Sequence, residues 1–70
     1  MNQRFRYGDR VGWSTTHGRT TGRVAKRLTH STYVRGDKVR VKPGHPEYLL
    51  TSERTGKKAV HKPTELKKLG

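Results

Sequence analysis

Apolar residues recur at every second position in short bursts along this chain, with turn-forming residues between the bursts and almost no helical spacing. Near the start, Val11 and Trp13 share one face of a strand, and Gly12 leaves room on the other. Thr20 to Leu28 is strand-permissive, with Val24 and Leu28 expected on one face and Arg23, Ala25 and Arg27 on the other. That alternation puts Lys26 on the apolar side, where an unpaired ammonium is costly, so a bulge or an early exit to the rim is expected there. Thr32-Tyr33-Val34 and Lys38-Val39-Arg40-Val41-Lys42 flank Arg35-Gly36-Asp37 as a small hairpin or one bent strand. Tyr48-Leu49-Leu50-Thr51 and Lys58-Ala59-Val60-His61 form a second hairpin around Arg54-Thr55-Gly56. With Gly56 as a left-handed bulge residue, Glu53 faces Lys57, Leu50 faces Val60 and Leu49 faces His61.

The stretches between these runs are read from their turn formers. Residues 1–6 are a flexible basic arm unless Phe5 packs, and Tyr7-Gly8-Asp9 turns the chain inward. Ser14 to Arg19 has no periodicity and reads as a surface loop, so that only Gly56, and not Gly18, is assigned an obligatory left-handed conformation. Pro43-Gly44-His45-Pro46 is a turn. Pro63 has no N–H for a ladder and ends the last long strand, after which Thr64-Glu65-Leu66 suits a single turn of 3-10 helix before Lys67-Lys68-Leu69. Five to six short antiparallel strands in one domain over residues 7–70 describe an all-β chain, a small and strongly bent barrel.

Composition limits what such a barrel can do. Hydrophobic residues are 27% of the chain and charged residues 31%. The core is therefore small. Disordered basic chains share this balance, but the placed turns and the alternation argue for a fold. Seventeen Lys and Arg against five Asp and Glu give a formal net charge of +12, which points to polyanions. Nucleic acid comes first among them, then acidic membrane and acidic protein surfaces. The absence of cysteine removes disulfides, thiolate metal sites and cysteine nucleophiles. His17, His30, His45 and His61 are too irregularly spaced for a zinc site, so no metal and no cofactor is expected. Asp9, Asp37, Glu47, Glu53 and Glu65 are scattered beside basic neighbours, and no phosphate-binding glycine loop is present, so no enzyme is expected. No apolar run reaches membrane-spanning length and MNQRFRYGD lacks the core of a signal peptide; the expectation is a monomer, cytoplasmic or nucleoid-associated and not secreted.

The candidate contacts follow from the strand faces. Lys38, Arg40 and Lys42 alternate with Val39 and Val41, a row of cations about 7 Å apart if the strand is continuous. With Arg23 and Arg27 they are the first candidates for phosphate contacts, and an exposed Tyr33 could stack on a base. Arg19, Lys57, Lys58, Lys67 and Lys68 are secondary. Trp13, Tyr7, Tyr33 and Tyr48 could in principle cage a methylated cation. A core this small is expected to use Trp13 and Tyr48 inside, and a +12 surface repels basic tails. The alternative partner is an acidic or strand-donating protein.

GDRVGW at Gly8 to Trp13, GRV at Gly22 to Val24 and YLLTSERTGKKAVHKPTELKKL at Tyr48 to Leu69 together resemble the hypervirulence-associated protein Tudor-domain family. The resemblance implies an SH3-like, Tudor-like barrel and carries no chemistry of its own, so function has to be argued from the surface. His61 sits in Val60-His61-Lys62-Pro63, a run that the family marks. Its expected role is structural, a ring hydrogen bond to a backbone carbonyl near the Pro63 turn.

Overall fold

A computed structural model describes residues 4–69. The strands are β1 (Arg10–Thr15), β2 (Gly18–Leu28), β3 (Thr32–Val34), β4 (Asp37–Val39), β5 (Glu47–Ser52), β6 (Lys58–His61) and β7 (Lys67–Lys68), with a 3-10 turn at Pro63–Glu65. They make an antiparallel five-stranded sheet in the order β6-β5-β2-β1-β7 and a separate β3-β4 ribbon. The fold is the expected all-β, Tudor-like one. Among the described residues no ladder joins the edges β6 and β7, so the barrel is open there.

The inner face carries Phe5, Val11, Trp13, Val24, Tyr48, Leu50 and Leu66 as one buried cluster, with Ala59 packed against it. Val11, Val24 and Leu50 are buried almost completely. Each stabilises the fold by about 1.5–3 kcal/mol through the apolar surface it removes from water. Phe5 meets the one condition set on the basic arm. It is buried, stands edge-on to Tyr48 with ring centres 5.3 Å apart, and its N–H donates to the Tyr48 hydroxyl at 3.1 Å. That is a favoured geometry for an aromatic pair with a polar tip to satisfy. Met1, Asn2 and Gln3 of that arm, and Gly70 at the other end, lie outside the described residues. Trp13 lies across Gly22, where any Cβ would meet Trp13 Cη2 and the Thr51 carbonyl. Trp13 and Tyr48 are thus core residues, while Tyr7 and Tyr33 are exposed, and the four aromatics do not form a cage.

Several local readings are corrected. Residues 14–19 are a tight hairpin, β1 running to Thr15 and β2 starting at Gly18, with Thr15 Oγ1 donating to the Gly18 carbonyl at 2.8 Å and accepting the His17 N–H at 3.1 Å. Gly18 has φ +109° and Gly56 has φ +73°. Both therefore need backbone that L side chains rarely adopt, and Gly56 is not alone in this. The β5–β6 register is one residue away from the expected one: Leu50 faces Ala59, Leu49 faces Val60, and Ser52 instead of Glu53 bonds Lys57. The cause is on the neighbouring strand. Glu53 N–H donates to the Thr21 carbonyl at 3.0 Å, and its carboxylate is held by Arg10 and Thr21, which removes Glu53 from the hairpin ladder. The 3-10 turn begins at Pro63, one residue earlier than expected, and is closed by the Glu65 N–H to the Lys62 carbonyl at 2.9 Å. Lys67 and Lys68 then pair with Gly12 and Val11.

Candidate functional site

A bulge in β2 arranges the charged end of the molecule. The β2–β5 register shifts between Val24 and Lys26, leaving Ala25 as the extra residue, and Lys26 is exposed as expected. The same shift reverses the rest of the strand. Arg27 now pairs with Tyr48 on the core side, and Leu28 pairs with Glu47 on the outer side with Leu49, so Val24 and Leu28 do not share a face. Leu28 and Val41 are buried, yet neither belongs to the main cluster. Arg27 leaves the sheet at its rim and enters an open groove.

That groove, of about 1140 Å³, is bordered by Arg4, Arg27, Arg40, Lys42, His45 and Lys62 and by one carboxylate, Glu47, with Tyr48, Leu66 and Pro63 among its less polar walls. Each is placed for a local reason. β4 stops at Val39, because the Val41 N–H turns to the Ser31 hydroxyl at 3.0 Å and the Val41 side chain is buried. Arg40 and Lys42 therefore stand on irregular backbone, which corrects the expected continuous strand. Lys42-Pro43-Gly44-His45 is a turn closed by the His45 N–H to the Lys42 carbonyl at 3.0 Å, with Gly44 at φ +80°. Lys62 is fixed at the 3-10 turn, where its N–H donates to Glu65 Oε1 at 2.9 Å. Among the described residues, no carboxylate lies within ion-pair distance of Arg27, Arg40, Lys42 or Lys62.

The other candidates are elsewhere. Lys38 and Tyr33 are cross-strand partners on the ribbon, and its Arg35-Gly36 turn has φ +55° and +84°. Two successive positive φ values are the backbone of a type I′ hairpin. Arg23 is tied down: Nε lies 3.6 Å from Glu53 Oε2 and a terminal nitrogen donates to the Gly8 carbonyl at 3.1 Å. Arg19 is opposite Ser14, Lys67 and Lys68 are on β7, and Lys58 Nζ donates to Thr51 Oγ1 at 2.7 Å beside Lys57. Sequence reasoning missed Arg4, His45 and Lys62. Only Pro63, which fixes the direction of the chain after Lys62, hinted at the last of these.

Two carboxylates are pushed below their ordinary value of 4.5. The Thr21 hydroxyl and the Arg10 guanidinium do this to Glu53; the Lys62 backbone N–H does it to Glu65, helped by the nearby His61. His61 Nδ1 stands 3.5 Å from Glu65 Oε1, and its ring rests 5.6 Å from Trp13. The expected backbone carbonyl partner is thus replaced by a carboxylate. Among the described residues, no three His, Asp or Glu side chains gather as a metal site, and no helix is long and apolar enough to cross a membrane.

Nothing among curated proteins or solved structures matches the chain significantly. Tudor-like domains are typically binding modules rather than catalysts. The model of the hypervirulence associated proteins TUDOR domain matches residues 8–66, and the chain belongs to that family of small Tudor-like modules.

Proposed function

We propose that this module binds nucleic acid through its phosphates, with little sequence preference. The observation that carries the reading is the groove: Arg27, Arg40, Lys42 and Lys62 border it beside Arg4, outnumbering Glu47 on the same wall, and among the described residues no carboxylate lies within ion-pair distance of these four. Each has a long stem and a charged head, suited to a backbone whose charges are evenly spaced. Lys38 and Tyr33 on the ribbon extend the contact, Tyr33 as a stacking surface for an unpaired base. Lys57, Lys58, Lys67, Lys68 and Arg19 add long-range attraction, and Arg23 contributes least because Glu53 holds it.

Fluorescence anisotropy with labelled duplex and single strands, repeated across salt concentrations, tests this. Five groove cations meeting phosphates give a logarithmic salt slope of roughly −4 to −5 on duplex. Arg40→Gln with Lys42→Gln flattens it by about two contacts' worth and weakens all sequences alike. Tyr33→Ala weakens single strands and leaves duplex unchanged. Full affinity and slope in the double variant, or tighter binding of an acidic protein than of any nucleic acid in the groove of Arg27, Arg40 and Lys42, defeats the reading.

A further inference from the structure

At the edge of the sheet opposite β7, strand β6 has one partner among the described residues, β5, and no described strand pairs with its other side. The ladder fixes which groups that side presents. The Ser52 N–H bonds the Lys57 carbonyl at 2.9 Å, so by alternation the hydrogen-bonded pairs with β5 are Leu50–Ala59 and Tyr48–His61. The N–H and C=O of Lys58 and Val60 then point away from β5. Their side chains lie on the outer face, since Lys58 reaches Thr51 there and Val60 faces Leu49. Beside this edge is a depression of about 410 Å³ whose opposite wall is the ribbon: Val34, Arg35, Asp37 and Val39. The slot therefore has strand backbone unpaired among the described residues, with Lys58, on one side, and Val34 and Val39 with the opposed charges of Arg35 and Asp37 on the other.

We propose that this slot accepts an extended acidic segment of a partner protein, added antiparallel to β6 as a sixth strand of the sheet. Its chemistry follows from the register. A residue opposite Val60 must be apolar, because Val60, Val34 and Val39 meet it on the outer face, and a residue opposite Lys58 must be acidic. These two positions are two residues apart in the partner and share one face. A second copy of the chain is a poor occupant, since both would bring a net charge of +12. The lysines around the edge also have a protective role against self-pairing, and an acidic strand is the kind of partner they do not repel. The slot shares no residue with the groove, so the two proposals stand or fall separately.

The probe is the capped peptide Thr-Glu-Thr-Val-Thr-Glu-Thr, titrated into the isotope-labelled protein and followed by amide NMR. The Lys58 and Val60 amides should shift and become protected from exchange. N-methylation at the peptide's valine, whose N–H faces β6, should weaken binding at least about tenfold, whereas N-methylation at the neighbouring threonines should not. A lysine-for-glutamate peptide should not bind. Val60→Pro, which removes an outward N–H and no ladder bond, should keep a dispersed spectrum and lose the peptide. If that variant unfolds, the methylated peptides decide alone. The proposal is overturned by equal effects of methylation at valine and threonine, or by equal binding of the lysine peptide. It is also overturned by shifts confined to Arg27, Arg40 and Lys42, by no shifts at all, or by concentration-dependent protection of β6 without peptide, which would mean a second copy.

Discussion

Arg23 and Arg27 stand on one strand with a bulge between them, and their surroundings have little in common. At Arg23 the strand pairs with β1 and β5 in regular register, and Glu53 gathers Arg10, Arg23 and Thr21 around one carboxylate. At Arg27 the register has slipped, and Arg27 faces a groove in which cations outnumber Glu47 and, among the described residues, no carboxylate lies within ion-pair distance of it. The residue type is the same; the difference lies in where the few carboxylates fall. With five of them against seventeen basic residues, most cations must go without a partner, and the fold decides which. A cation held by a carboxylate contributes to cohesion, and a cluster left without one costs stability through self-repulsion.

The most drastic way to break this comparison is to remove the strand that both ends share. Gly22→Val places side-chain atoms into Trp13 and the Thr51 carbonyl, neither of which can yield without opening the sheet. A loss of about 3 kcal/mol or more is expected in urea unfolding, with nucleic-acid binding lost together with the fold. Gly12→Ala is the control. Its nearest neighbour is the movable Leu69 Cδ1 at 3.4 Å. The expected cost is under about 1 kcal/mol. Similar midpoints for the two variants would mean that the Trp13–Gly22 contact does not hold the sheet together.

The two ends also differ in how far the sequence disclosed them. Val11 and Trp13 alternate around Gly12, and with Val24 their inward placement was legible from periodicity; in Tyr48-Leu49-Leu50 no alternation tells Leu50 from Leu49, and the fold alone puts Leu50 in the core. The bulge was legible from Lys26, whose ammonium had to escape. Its consequence for Leu28 and Arg27 was not, because one extra residue reverses every face that follows. The hairpin register failed by one position for a related reason: reading Glu53 against Lys57 treats the hairpin as isolated, whereas a strand distant in sequence supplies Thr21 and Arg10. β7 escaped notice because two lysines at an edge have no apolar pattern to show. The groove draws on residue 4, on residue 27, on the turn at 40–46 and on residues 62–66, and only tertiary packing brings these together.

A smaller perturbation sharpens the contrast at the Arg23 end. Glu53→Gln releases Arg10 and Arg23 while keeping the shape, so the melting temperature should fall, and the salt slope of nucleic-acid binding should steepen as two cations become available. The pH dependence has a definite sign. Glu53 and Glu65 have folded-state pKa values below 4.5, so their stabilisation is present above that value and is lost as the pH falls through their lowered pKa values. Acid unfolding followed by tryptophan fluorescence should therefore be less steep in Glu53→Gln, with the remaining dependence reduced again by Glu65→Gln. An acid limb identical to that of the unsubstituted chain would mean that Glu53 interacts no better in the fold than in the unfolded chain.

The finest test neutralises one arginine at each end of β2 and compares signs. Arg23→Gln removes an attraction to Glu53 and should lower the melting temperature slightly at low salt; Arg27→Gln removes repulsion from Arg40, Lys42 and Lys62 and should raise it slightly. Both changes should be small beside the loss in Gly22→Val, because these side chains are well solvated. Salt should shrink them together, since the screening length falls from about 30 Å at 0.01 M to about 10 Å at 0.1 M. The unsubstituted chain should itself melt higher as salt is added, its repulsions outnumbering its ion pairs, and Arg27→Gln should show a shallower rise than Arg23→Gln. Calorimetry at two salt concentrations measures all four quantities. Shifts of the same sign at low salt would show that both arginines experience the net charge of the whole molecule and that neither responds to its immediate neighbours.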